Sequence, residues 1–295
     1  AHPHPADRPR PTPYVKPPPK NSKKGPGPRW HVPGELTVTG SAAPADTGAL
    51  AGHPIGNLML AGLNEVLADP VAALDELGRI LGVKGRVLPM CPIALQIEAD
   101  VSGLETDPRM GRVIRGQVAV ATTPGKVRRV RLLPGDPPAT RQAVDAVMGA
   151  DLVVLGPGSW FTSVIPHVLV PGLVAALNST AARRAVVLNL AAEPGETAGF
   201  SAERHLHVLA QHAPGFSVHD IIVDAARVPS QRERDQLRRT ATVLEASVTF
   251  ADVSRPGTPL HDPAKLAAAL EAVCRAGAES ATTVVPAAAP RPTER

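Results

Sequence analysis

The segment Asp151-Leu-Val-Val-Leu155-Gly156-Pro157-Gly158-Ser159 joins a short apolar run to a glycine-rich turn, and a helical pattern follows. In a sheet with helices on both faces, ligands sit at the carboxyl ends of the strands. A turn there without Cβ atoms at Gly156 and Gly158 lets backbone amides approach an anion. The start of the next helix adds unpaired N–H groups, and Ser159 adds a hydroxyl. That is the chemistry of a phosphate cradle. An ordinary strand–helix turn has the same spacing, because Gly-x-Gly without a third glycine discriminates weakly.

A second constellation is Asn189-Leu190 with the loop Glu193-Pro194-Gly195-Glu196-Thr197. If its strand runs parallel to the first, the loop opens at the same sheet edge. Asn189, Glu196 and Thr197 then suit ribose or sugar hydroxyls, although a Pro-Gly turn with exposed acids reads the same way. A third is Gly52-His53-Pro54-Ile55-Gly56-Asn57, just ahead of a helix. Asn57 is placed either to cap that helix or to offer its amide to a ligand. His53 could donate to a phosphate or satisfy a buried carbonyl.

Other chemistries find no pattern. There is no Walker A sequence, no His-Glu-x-x-His and no Cys/His set with zinc spacing. His205 and His207 fall on different helix faces, and Ser159 lacks the Gly-x-Ser-x-Gly elbow of a hydrolase. Cys91 and Cys274 give no sign of pairing, which fits a reducing compartment and an expected location in the cytoplasm. No stretch approaches the roughly 18 unbroken apolar residues of a membrane span.

The elements around these motifs alternate. Helical spacing predicts helices at Leu58–Leu67, Val71–Leu81, Pro138–Met148, Ser163–Leu177 (broken at Pro166 and Pro171), Ala202–Gln211, from Ser230 to Arg239, and from Asp262 to Val273. Strands are predicted at Arg86–Met90, Ala94–Val101, Asp151–Leu155, Ala185–Leu190, His219–Val223 and Val248–Ala251. Val113–Ala121 and Lys126–Leu133 read as a hairpin around Thr123-Pro124-Gly125. The fold class is therefore α/β: a Rossmann-like, doubly wound, mostly parallel sheet with an antiparallel insert beside it.

Composition divides the chain. Of its 295 residues, 43% are hydrophobic but only 2% aromatic, so Ala, Val, Leu and Ile must form the core. Residues 1–34 hold eleven prolines and seven Lys/Arg against one acid, leaving 24 basic and 26 acidic residues in the rest. The net charge of +4 thus belongs to the tail. A near-neutral body poor in aromatics argues against a nucleic-acid partner. Boundaries follow: a Pro-rich tail at 1–47 with at most a short strand at Glu35–Val38, a globular domain at 48–275, and a second tail at 276–295.

Taken in order, these motifs resemble the gluconeogenesis factor (YvcK) family, a branch of the CofD-like superfamily. The resemblance rests on Gly52-His53-x-x-Gly56-Asn57, Leu88-Pro89-Met90, Gly156–Ser159 with Thr162, Ser163 and Pro166, Asn189-Leu190 with Pro194–Thr197, and His261-Asp262. It runs from about Gly48 to Val273. It implies a UDP-sugar ligand such as UDP-N-acetylglucosamine and no cofactor. It also implies a regulatory role in cell shape and cell-wall synthesis on gluconeogenic carbon, with a homo-oligomer or a cell-wall regulatory protein as partner. The ligand-binding set is His53, Gly56, Asn57, Gly156, Pro157, Gly158, Ser159, Asn189, Gly195, Glu196, Thr197 and His261. The enzyme alternative is transfer of a phospholactyl group in deazaflavin cofactor synthesis.

The family pattern also opens with a strand, a Gly-Gly-Gly-x-Gly turn and an Asp-Asp-Gly-Gly-Ser loop, none of which appears in residues 1–47. A shifted reading frame or a wrong start is the expected origin of such an N-terminus, and a non-functional truncated product is then a further alternative for the function. Weak ligand binding and a sticky sheet edge are the expected consequences.

Overall fold

The computed structural model describes residues 54–107, 110–193 and 196–282. Two helices come first, α1 (Ile55–Leu67) and α2 (Pro70–Leu81). Asp69 caps α2 by accepting from the amides of Val71 and Ala72, Pro70 occupies the first helical position, and Gly82 ends the helix at φ 61°. The two pack on each other through Leu60, Ala73 and Leu77.

The antiparallel insert has three strands, β1 (Gln96–Ser102), β2 (Gly111–Arg115) and β3 (Lys126–Leu133), in the order β2-β1-β3. The hairpin read from the sequence is corrected here: β2 and β3 each pair with β1, not with each other. Gly116, at φ 98°, stops β2 and donates its amide to Ile97 O. Gln117–Ala121 then form a single helical turn, α3, which buries Val120. The alternation of Val113–Ala121 was real, but a glycine divided it. Gly125 follows where a Cβ would lie 2.9 Å from Ser102 O, so the close approach of the start of β3 to the end of β1 needs glycine.

Arg86–Met90 is a second correction. It forms no strand, because Arg86 clamps Asp75 of α2 with two bonds of 2.8 and 2.7 Å and straps the segment along that helix. Pro89 and Pro92 also lack the amides a ladder requires.

The second half alternates strand and helix. In order it runs α4 (Arg141–Met148), β4 (Leu152–Leu155), α5 (Pro171–Ser179), β5 (Arg183–Val187), α6 (Ala202–His212), β6 (Asp220–Asp224), α7 (Gln231–Ala241), β7 (Ser247–Ala251) and α8 (Pro263–Thr282). The four strands are parallel in the order β4-β5-β6-β7. Ser201 caps α6, and Ser230 with Glu233 forms a capping box on α7. Between β4 and α5 a π-helical turn (Trp160–Val164) and a 3₁₀ turn (Ile165–Leu169) carry the chain, bent at Pro166 and Pro171 as the sequence suggests.

Side chains of β5 and β6 point alternately into two cores. Val186, Ile221 and Val223 join the large core with Trp160, Phe161, Leu206 and Leu237. Val187 and Ile222 pack under α8 with Val253, Ala269 and Val273. Covering on both faces is what makes these strands continuous apolar runs. α8 continues to Thr282, beyond the expected end near Val273, so residues 276–282 are helical.

Among the described residues no single helix is long and apolar enough to cross a membrane. Within the described part of the sheet β4 is an edge strand, and its Val154 is 39% exposed.

Candidate functional site

The carboxyl ends of β4 and β5 meet at the glycine turn. Gly156 adopts φ 75°, and a Cβ there would stand 2.9 Å from Val187 O on the neighbouring strand. Both facts require glycine. Gly158, at φ 151°, faces open space. Asn189 clasps this residue with both ends of its amide: Gly158 N donates to Asn189 Oδ1 at 3.0 Å, and Asn189 Nδ2 donates to Gly158 O at 2.9 Å. The two sequence motifs are thus brought together, but the Asn189 amide holds the turn and so does not face a ligand.

Glu196 and Thr197 are likewise engaged from within. Glu196 is 3% exposed; its Oε2 accepts from Phe161 N at 2.9 Å and its Oε1 from the Thr162 hydroxyl at 2.5 Å. The buried Thr197 accepts from Glu193 N at 2.8 Å and donates its own amide to Glu193 O at 3.1 Å. Ser159 and the Trp160 amide bond to Glu193. The amides after the turn, read as a phosphate cradle, are therefore met largely by the protein's own carboxylates. Sequence reasoning omitted Glu193 from the site, although it stood inside the quoted loop. Burial and the neighbouring Glu196 charge push its carboxyl above the usual range.

His261 lies at the end of β5. It hydrogen-bonds the backbone of Leu188, its Nε2 is buried without a partner among the described residues, and burial holds its pKa below 6.5. Nearby Asp224 accepts from Ala226 N and Val253 N, each at 3.0 Å, and orders the loop after β7. Asn57 does not cap α1, because the helix begins earlier, at Ile55, with Pro54 as N-cap and Asn57 N bonded to Pro54 O. Asn57 shares a helix face with Leu60 and Asn64, three and seven residues on. Nothing crowds Gly56. His53 and Gly195 lie outside the described residues.

Two adjoining cavities of about 340 and 1000 Å³ open beside the turn. Leu88, Met90, Ser163 and His167 line both. The smaller reaches Gly156 and Pro157, while the larger runs between the α1–α2 pair and the antiparallel sheet to Leu60, Asn64, Arg115 and Gln117. Arg115 is held at 2.6 Å by Glu98, which also binds Arg131 at 2.8 Å. Those two guanidinium groups, Arg115 foremost, keep the Glu98 carboxyl below the usual range. Arg115, Gln117 and His167 gave no signal in the sequence, because their register relative to the cleft depends on the sheet pairing. Among the described residues no three His, Cys, Asp or Glu gather as a metal site.

An α/β domain with a parallel sheet beside an antiparallel one, and a cavity that reaches the turn after β4, is the class of protein that this geometry defines. The family model for 2-phospho-L-lactate transferase CofD matches residues 35–258. The chain is 86% identical over 228 residues to a Mycobacterium tuberculosis protein named "Putative gluconeogenesis factor", covering 77% of this chain and 67% of that one. It is 80% identical to the Mycobacterium leprae counterpart (82% and 67% covered), and 30% identical to the gluconeogenesis factor of Bacillus subtilis (68% and 61%). A crystal structure of a UPF0052-family protein from Bacillus halodurans superposes with TM-score 0.65 at 27% identity, covering 76% of this chain and 73% of that one. The chain belongs to the CofD-like gluconeogenesis factor family.

Proposed function

We propose that the chain binds a uridine diphosphate sugar in the cleft between Gly156-Pro157 and Leu88–Met90, and acts as a regulatory protein rather than a catalyst. Its role is then in cell-wall synthesis and cell shape during growth on gluconeogenic carbon, in the cytoplasm. The observation that carries the reading is the meeting of two separate motifs on the smaller cavity: Gly156 and Pro157 on one side, Leu88 and Met90 on the other. Each of the two cavities is of a size common among ligand sites, which measure about 300–1,000 Å³. Arg115 and His167 offer donors near a diphosphate.

The test is titration of UDP-N-acetylglucosamine, UDP and GDP into the full chain at millimolar concentrations, read by thermal shift and ligand-detected NMR. A ligand that binds only the folded state must raise the melting temperature. A rise with uridine nucleotides and none with GDP supports the reading, and no response to any of them removes it. The name of the matching family model favours a second reading, phospholactyl transfer. Turnover with Mg²⁺ and a deazaflavin acceptor would replace the regulatory proposal. Sedimentation measurements address self-association, and co-purification addresses a cell-wall regulatory partner.

A further inference from the structure

We infer that His167 is the residue that holds the ligand's diphosphate, by donating a hydrogen bond from its protonated Nε2; this rests on the nucleotide-sugar reading above. Among the described residues no Asp or Glu lines either cavity. Beside Cys91, the larger is lined by two ionisable groups, Arg115 and His167, and the smaller by His167 alone. The Arg115 charge is already matched by Glu98 at 2.6 Å. His167 is exposed and stands in the wall common to both cavities. Its hydrogen bond within the described residues is to Ser163 O, and no carboxylate holds it.

That bond orients the ring. Nδ1 stands 2.7 Å from Ser163 O, and a carbonyl only accepts, so Nδ1 carries a proton in both charge states. Nε2 is the nitrogen left for a ligand. In the neutral ring it presents a lone pair, which repels a phosphate oxygen. In the charged ring it becomes a donor of the strong, charge-assisted kind. A diphosphate brought to it therefore draws a proton onto the ring, and binding and protonation reinforce each other. The elements packed on this turn supply no competing acid. α5 carries no ionisable side chain. On β3, Arg128 bonds Ser102, Arg131 bonds Glu98 and Asp100, Arg129 lies beside Asp100, and Lys126 lines neither cavity. On α6, His205 and His212 are tied to Ser201 O and Val208 O, Arg204 lies over Phe200, and Glu203 and His207 line neither cavity.

The experiment titrates UDP-N-acetylglucosamine into the full chain at about pH 8 and about pH 6, for wild type, His167→Gln and His167→Ala. The diphosphate of this probe is esterified at both ends and does not itself titrate there, unlike the terminal phosphate of UDP with a pKa of about 6. Wild-type affinity should rise roughly 10-fold on acidification. His167→Gln keeps a neutral donor and should bind with most of that rise removed. His167→Ala should bind more weakly still and show the same flattening. Melting curves at both pH values check that each variant is folded. A merely structural role would lower affinity by one factor at both pH values and keep the wild-type rise, which overturns the assignment. A wild-type affinity that is flat, or that falls on acidification, overturns it too, and in each of these cases nucleotide binding stands. If wild type binds the probe at neither pH, the nucleotide-sugar reading fails and the His167 assignment fails with it.

Discussion

His212 Nε2 accepts a hydrogen bond from the amide of Val130 at 3.0 Å, tying α6 to β3 across 82 residues of chain. The other ring nitrogen, Nδ1, bonds Val208 O at 2.7 Å, so the ring is neutral with its proton on Nδ1. Burial, above all, depresses the His212 pKa from 6.5, and it does the same for His205, His219 and His261.

Stability should therefore fall with acid. A histidine depressed in the folded state binds its proton more readily when unfolded, so its contribution is present above 6.5 and is lost as pH drops from there toward the folded value. Melting temperatures measured between neutral pH and about pH 5 should decline. His212→Phe leaves the Val130 amide unpaired and should cost about 1–3 kcal/mol, a drop of several degrees for a domain of this size. The variant should also flatten the pH dependence. A slope equal to that of wild type would contradict the role given to His212.

The two glycines of the turn should respond differently. Both have a positive φ, but Gly156→Ala also meets the Val187 carbonyl at 2.9 Å, whereas Gly158→Ala meets no neighbouring atom. Chemical denaturation should show the larger loss for Gly156→Ala, about 1–3 kcal/mol.

Asn189→Ala removes both bonds to Gly158. The expected cost is about 1–3 kcal/mol, and faster amide exchange should appear in the turn. Asn189→Asp keeps an acceptor for Gly158 N but loses the donor to Gly158 O. It should fall between wild type and Asn189→Ala.

At the far end of the sheet, Gly277 of α8 lies against the Arg183 guanidinium, where a Cβ would meet Nη1 directly. Arg183 in turn bonds the buried Asp220 at 2.7 Å. Gly277→Ala should displace Arg183 and destabilise by about 1–3 kcal/mol, despite alanine's better helix propensity. A gain in stability would show that α8 can shift away without loss.

The parallel half was readable because β5 and β6 are buried on both faces, and such strands are written as unbroken apolar runs such as Ala185–Val187 and Ile221–Val223. Caps at Ser201 and Ser230 were equally plain, since the bonds are local. The insert was less legible. Placing β1 between β2 and β3 is a choice of partner, and alternation within a strand carries no information about partners. For the site, the sequence identified Gly156, Asn189 and Glu196 but not who bonds whom. The clasp of Gly158 by Asn189 and of Phe161 N by Glu196 assigns both side chains to the scaffold.

The adjoining cavities are walled by two sheets that share no strand: Ile97, Arg115 and Leu132 of the antiparallel one line the larger, Val153 and Leu155 of the parallel one the smaller. The span across both is consequently a property of the sheets' mutual pose and is stored in neither. A molecule wedged between them would act as a spacer, and the seam at Val130 would register its arrival as slowed deuterium uptake even though that amide never touches the guest.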